Sequence, residues 1–100
     1  MMKFSLNYHP SAQKEYLDSV SWYEQAKTGL GEQFIQELEA MLDKIEQNPF
    51  LFQVKRKRLR EGKLRSFPYI IVYTVNSRKK EILILAVFHT SRNPFLKGKR

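Results

Sequence analysis

The chain contains no cysteine, which excludes disulfide bonds, thiolate catalysis and cysteine-based zinc sites. Glycine and proline are scarce, at four residues each, so there is no linker or low-complexity tract. No window approaches the roughly 18 apolar residues of a membrane span. Residues 1–8 lack the continuous apolar core of a signal peptide. We therefore expect a cytoplasmic protein that is stabilised by packing.

Positive charge is what the sequence has in excess. Over 100 residues, 18 Lys and Arg stand against 10 Asp and Glu, a net charge of +8. Nine of the ten acids lie in the first 61 residues and only Glu81 follows, so the positive field should be concentrated in the C-terminal part. Such a field favours nucleic acid, an anionic membrane surface or an acidic protein. The length and the composition, 42% hydrophobic and 28% charged, indicate one folded domain over residues 1–100.

The first half of the chain predicts one strand and two helices. Phe4, Leu6 and Tyr8 alternate with polar residues, which indicates a short strand near a sheet edge. Apolar residues then recur at helical spacing in two runs: Ala12, Tyr16, Val20 and Tyr23, then Leu30, Phe34, Leu38, Met41, Leu42 and Ile45. Pro10 suits the first position of the first helix, and Asn48-Pro49 ends the second. A short connection between them predicts an antiparallel helical hairpin.

The second half is rich in residues that favour strands. We predict strands over residues 58–66, interrupted or bulged near Gly62, over 69–75 and over 82–88, with a polar hairpin loop between the last two. The unbroken apolarity of 82–88 indicates a central strand that is covered on both faces. The predicted fold is α+β, in the order β-α-α-β-β-β, with the helical hairpin packed on a small, curved, mainly antiparallel sheet.

Several short segments, taken in order, resemble the RelE/ParE superfamily of toxins from type II toxin–antitoxin systems. They are Trp22-Tyr23-Glu24, Gly29-Leu30-Gly31-Glu32-Gln33-Phe34, Asn48-Pro49, Arg65-Ser66-Phe67-Pro68-Tyr69 with the strand that follows, and His89-Thr90-Ser91-Arg92-Asn93-Pro94. The Phe-Pro-Tyr turn and the His-x-x-Arg-x-Pro ending resemble the ParE-like branch, whose characterised members poison DNA gyrase. The resemblance implies a RelE/ParE-like fold and a toxin that inhibits gyrase. It also implies a cognate antitoxin that neutralises the toxin in a hetero-oligomer.

The resemblance leaves two alternatives open. Members of the RelE branch cleave mRNA on the ribosome with Lys, Arg and a C-terminal Tyr, and no Tyr follows Tyr73 in this chain. We therefore expect no catalytic activity of its own. If the chain is an endoribonuclease, Arg65 and Arg92 would stabilise charge on the scissile phosphate and His89 would act as general acid or base. The other alternative is an inactive toxin that acts only as a binding module.

Two of these candidate residues also have structural interpretations. Arg65 is equally well explained as a surface arginine that pairs with a helix acid. A lone histidine at the end of a strand, such as His89, more often donates to a carbonyl and fixes the next loop. No His, Asp or Glu cluster has ligand spacing and no phosphate-binding glycine loop is present, so we expect neither a metal nor a cofactor.

The candidate binding residues are mostly cationic. A basic run is predicted to bind the target or nucleic acid, or to receive an acidic antitoxin segment: Lys55, Arg56, Lys57, Arg58, Arg60 and Lys63. The same run could instead be a charged edge strand that resists aggregation. Trp22 falls on the polar side of the first helix, which makes it a candidate anchor for the antitoxin, unless the chain terminus or helix two covers it. His9 is predicted to be a cap residue, and Tyr69 and Tyr73 to be core residues.

Overall fold

The computed structural model describes residues 3–91. β1 (Ser5–Tyr8) is followed by α1 (Pro10–Ala26), α2 (Leu30–Gln47), β2 (Val54–Arg56), β3 (Leu59–Lys63), β4 (Tyr69–Asn76) and β5 (Glu81–His89). The strands form one sheet in the order β1-β5-β4-β3-β2. β1 runs parallel to β5, and every other neighbouring pair is antiparallel. The predicted α+β class, the edge position of the first strand and the interior position of the last are confirmed.

The helices begin and end where the sequence predicts. His9 is the N-cap of α1, and its Nδ1 accepts a hydrogen bond of 3.1 Å from the backbone N–H of Ser11, while Pro10 occupies the first helical position. Asn48, the residue before a proline, ends α2. The apolar faces of both helices pack on one side of the sheet, with Ala12, Tyr23, Phe34, Leu38, Leu42 and Ile45 buried.

A tight connection fixes the helical hairpin. The Glu24 carboxylate accepts hydrogen bonds of 3.0–3.1 Å from the backbone N–H groups of Gly29 and Gly31, which satisfies donors at the start of α2. A Cβ atom at Gly31 would lie 2.9 Å from the Val20 carbonyl oxygen. The two helices therefore approach so closely at this point that only glycine fits without a shift of the backbone.

An irregularity in β5 changes which residues face the helices. Val72 lies opposite Ala86 while Tyr73 lies opposite Ile84, so Leu85 is an extra residue in β5. Such a bulge reverses the alternation of the strand. Ile84 and Val87 consequently both join the core beneath the helices, whereas Val72, Ala86 and Phe88 form a smaller buried cluster on the opposite, outer face. Leu83, also on the outer face, is 36% exposed, so the expectation that the last strand is covered on both faces holds only for its second half.

The strand predicted over 58–66 is present but shorter, as β3, Leu59–Lys63. It pairs with an additional strand, β2, across a two-residue turn at Lys57 and Arg58. The predicted bulge near Gly62 is wrong, because Gly62 pairs in regular register with Ile71. The site is instead tightly packed: a Cβ atom would lie 3.1 Å from the Met41 sulfur and 3.2 Å from the ring of Phe52, so both side chains would have to move slightly.

Candidate functional site

The basic run lies on the β2–β3 hairpin at one edge of the sheet. Five of its six cations are exposed, namely Lys55, Arg56, Lys57, Arg58 and Lys63, whereas Arg60 is partly buried. Lys57, in the turn, has a positive φ of 52°, a backbone conformation that residues other than glycine adopt rarely. The run is therefore divided between two strands and a turn and does not form one continuous row.

Arg60, the partly buried member of the basic run, has a structural role. Its guanidinium donates a hydrogen bond to the Phe52 carbonyl oxygen and lies 5.1 Å from the centre of the Phe50 ring. On the same face of the sheet, the Tyr73 hydroxyl donates to the Pro49 carbonyl oxygen at 2.9 Å. Burial raises the pKa of Tyr73, although the charge of Arg60 opposes this. Together these contacts hold the segment after α2 against the sheet.

Arg65 lies beside α2. It lines a cavity of about 290 Å³ with Lys63, Lys44, Glu37 and three apolar side chains. The Glu37 carboxylate accepts a hydrogen bond of 2.7 Å from the Ser66 backbone N–H. Burial alone would raise the pKa of Glu37, but hydrogen bonds from Ser66 and the Arg65 backbone, with the Arg65 charge, lower it. Arg65 thus has the acidic helix neighbour expected from the structural interpretation, although that acid also holds the loop backbone.

His89 lies beside α1, whereas Arg65 lies beside α2. It lines a cavity of about 260 Å³ with Glu15, Asp18, Ser19, Trp22, Tyr69 and Val87. Its ring packs edge-on against Tyr69, with 5.1 Å between the ring centres. Nδ1 accepts a hydrogen bond of 3.1 Å from the Ser91 backbone N–H, so the imidazole fixes the turn that follows β5.

The candidate catalytic residues do not converge within the part of the chain that the structure describes. Arg65 and His89 line different cavities, one against α2 and the other against α1. Arg92 lies outside the described residues. Arg65 and His89, the two candidates within residues 3–91, therefore do not share either of these two cavities.

Trp22 is 52% exposed at the rim of the His89 cavity, as its place on the polar side of α1 predicts. Its ring packs edge-on against Tyr23, which is buried beneath it, with 5.0 Å between the ring centres. The aromatic surface is thus held by a core residue and remains accessible to a partner. Its assignment to an antitoxin stays a prediction.

A group of cations that the sequence pattern does not predict lies at the β4–β5 turn. Residues 76–80 were interpreted only as a polar loop, yet Arg78 and Lys79 line a cavity of about 580 Å³ together with Arg58 of the β2–β3 turn. Three consecutive cations, Arg78-Lys79-Lys80, were the available signal. Arg58 joins this group because the β2–β3 and β4–β5 turns lie side by side in the structure.

Within residues 3–91 we find neither a group of side chains that could hold a metal ion nor a helix that could cross a membrane. No group of three or more His, Asp or Glu side chains is placed to hold a metal ion. Neither α1 nor α2 combines the length and the apolarity that crossing a membrane requires.

Comparison with known proteins identifies similar chains. Residues 6–94 match the family described as ParE toxin of type II toxin–antitoxin system, parDE. A chain of the chromosomal ParDE system from P. aeruginosa is 16% identical with a TM-score of 0.74, covering 87% of this chain and 96% of that one. A chain of the intact E. coli RelBE toxin–antitoxin complex is 22% identical with a TM-score of 0.69, covering 89% and 99%. Isolated E. coli RelE is 20% identical with a TM-score of 0.69, covering 96% and 94%. No curated protein sequence matches.

Proposed function

The chain belongs to the ParE toxin family of type II toxin–antitoxin systems, and from this premise we propose that it acts in the cytoplasm as an inhibitor of DNA gyrase. Gyrase is the target that the resemblance to the ParE-like branch implies. A cognate antitoxin neutralises the toxin by forming a hetero-oligomer with it. The basic β2–β3 hairpin is the surface that meets the target.

The placement of Arg65 and His89 in different cavities carries this proposal. Cleavage of RNA by general acid–base catalysis needs a proton-transfer group and a charge-stabilising group within reach of one phosphate. Here the two groups line different cavities against different helices. That arrangement supports inhibition by protein contact in preference to catalysis.

The test combines growth with a gyrase assay. Induction of the chain alone in a bacterial host should arrest growth and produce DNA breaks or loss of plasmid supercoiling. The purified protein should then block supercoiling of relaxed plasmid by gyrase. Normal supercoiling in both assays would refute the gyrase assignment, and continued growth would point to an inactive toxin.

One observation favours a second candidate, the ribosome-dependent endoribonuclease. Lys63 and Arg65 line the same cavity, together with Lys44 and Glu37, which supports a shared phosphate site for the two cations. In a translating extract such an enzyme would cut mRNA, and Arg65→Ala would abolish the cuts. Lys27→Ala removes a cation that does not line that cavity and serves as the control. Intact mRNA in the presence of the unchanged protein would exclude this function.

The partner assignment rests on Trp22 and on the similar solved structures, which include toxin–antitoxin complexes. An exposed tryptophan held by a buried neighbour resembles the aromatic anchors of protein interfaces, where truncation costs about 2 kcal/mol or more. We expect Trp22→Ala to weaken binding to the cognate antitoxin at least about 30-fold in a titration. Gln25→Ala, an exposed change one turn along α1, is the control. Equal affinities for both variants would remove Trp22 from the interface.

A further inference from the structure

Two turns of the sheet meet at one end and enclose a cleft. β3 and β4 are antiparallel, with Arg60 opposite Tyr73, so the β2–β3 turn and the β4–β5 turn project from the same end of the sheet. The cavity of about 580 Å³ between them defines the two-turn cleft. It is lined by Arg58, Thr74, Val75, Asn76, Ser77, Arg78 and Lys79.

The two-turn cleft differs from the cavities at Arg65 and His89 because no acidic residue offsets its positive charge. Three cations line it, and its lining includes no Asp or Glu. By contrast, Glu37 lines the Arg65 cavity, and Glu15 and Asp18 line the His89 cavity. A negatively charged ligand therefore meets no opposing carboxylate among the residues that form the cleft.

The backbone around the cleft is held in place. The Asn76 side chain accepts a hydrogen bond of 3.0 Å from the Lys79 backbone N–H, which fixes the β4–β5 turn. Within residues 3–91, the non-glycine residues with positive φ are Lys57, at 52°, and Lys80, at 56°, one in each turn. Both turns thus hold a lysine in a backbone conformation that is rare for its residue type.

The chemistry of the lining favours phosphate groups. Guanidinium, ammonium, hydroxyl and amide groups all bind phosphate oxygens, and such contacts are independent of nucleic-acid sequence. No aromatic ring lines the cleft, so it offers no platform for an unpaired base. Val75 is its single apolar side chain, which leaves little to anchor an amphipathic peptide. A base-paired duplex, which exposes its phosphates and stacks its bases internally, fits this lining best.

We propose that the two-turn cleft binds the sugar–phosphate backbone of duplex DNA. The cleft lies at the opposite end of β3 from Lys63 and the Arg65 loop. Its role is therefore separable from any function of Arg65 or His89. Duplex DNA carries one charge per about 1.7 Å of its axis, so neutralising its phosphates releases counterions and drives binding.

The test measures anisotropy of a short fluorescein-labelled DNA duplex over a range of salt concentrations. Arg58→Gln with Arg78→Gln removes two charges from the cleft. Lys14→Gln with Lys27→Gln removes the same charge from the helical side of the molecule and is the matched control. We expect the cleft variant to lose about tenfold in affinity and its slope of log K against log salt to become shallower by about 1.8, that is about 0.9 per phosphate contact. The control should keep the wild-type slope.

Three outcomes would overturn the proposal. Equal losses in both double variants would show that net charge alone attracts DNA, and an unchanged slope in the cleft variant would show that its arginines contact no phosphate. Tighter binding of an RNA hairpin or an oligoglutamate peptide than of the duplex would assign the cleft to another ligand. Circular dichroism checks the fold, and Lys79→Gln, a single change in the same lining, provides a second measurement of the slope.

Discussion

The side-chain carboxylate of Glu15 accepts a hydrogen bond of 2.9 Å from the backbone N–H of Val87 and so joins the first helix to the last strand. β1 pairs with β5 only as far as Ile84, where the His9 backbone N–H donates to the Ile84 carbonyl oxygen. Beyond that point a side chain from α1 replaces the neighbouring strand as acceptor. The bond therefore stabilises the end of β5 that carries His89.

Removing this acceptor should destabilise the protein. Glu15→Ala leaves the Val87 N–H without its carboxylate partner, so we expect a loss of about 1–3 kcal/mol in the free energy of unfolding. Glu15→Gln keeps an acceptor oxygen and should lose less. Urea unfolding of both variants, beside the exposed control Gln13→Ala, measures the difference. Equal stability of all three would contradict the assigned role.

The basic run should divide into structural and exposed members. Arg60→Gln removes the contacts to Phe52 and Phe50 and should cost about 1–2 kcal/mol, because a partly buried hydrogen bond and a cation–π contact are lost. Arg58→Gln, in the exposed turn, should change stability by less than about 0.5 kcal/mol. Thermal unfolding of the pair gives the comparison, and a larger loss in Arg58→Gln would reverse the assignment.

Gly31 should tolerate no side chain. In Gly31→Ala the new Cβ would meet the Val20 carbonyl oxygen at 2.9 Å, so α1 and α2 must separate. We expect a loss of about 1–3 kcal/mol by overpacking, although alanine is the better helix former. Glu32→Ala, one residue further along α2 and exposed, is the control. Stabilisation of Gly31→Ala in chemical denaturation would disprove the close approach.

Alkaline stability should depend on Tyr16. Its hydroxyl donates to the Glu39 carboxylate at 2.7 Å, and burial, followed by this bond and the Glu39 charge, raises its pKa well above the ordinary 10.0. A raised pKa means that the fold favours the neutral phenol. Its contribution to stability is therefore complete below pH 10 and is lost as the pH rises above that value.

Tyr16→Phe tests this dependence. The variant should be less stable by about 1 kcal/mol at neutral pH, because the hydrogen bond is lost. Its stability should then fall less steeply than that of the wild type in strong alkali. Melting temperatures across the alkaline range check both effects. Parallel curves for the two proteins would show that Tyr16 ionises equally easily in the folded and unfolded chains.

The sequence predicts the helical layer well because its apolar stripes extend over several turns. β2 was missed because Val54-Lys55-Arg56 is too short and too charged to show a strand pattern. Gly62 was misinterpreted because a glycine in a strand can mark either a bulge or a close contact. Only the tertiary positions of Met41 and Phe52 decide between the two.

The sequence predicts less of the candidate site, because it does not show which residues lie opposite one another in neighbouring strands. Arg60 turns inward because it lies opposite Tyr73 on the helix-covered face, and the sequence does not state that pairing. Likewise, Arg58 and Arg78 are distant in sequence and become neighbours only because two hairpins end at the same side of the sheet. Charge was visible in the sequence, but its grouping was not.

The parallel pairing of β1 with β5 has a consequence for synthesis. Within residues 3–91 the first strand, β1, has as its sheet partner the last strand, β5, so Ser5–Tyr8 cannot pair until Glu81–Ile84 have been translated. Contacts of such long sequence separation form slowly, and a nascent chain cannot make them while its C-terminal part is still missing. The sheet is thus completed only once β5 has left the ribosome, and the cell meets the finished toxin only after translation has passed that strand.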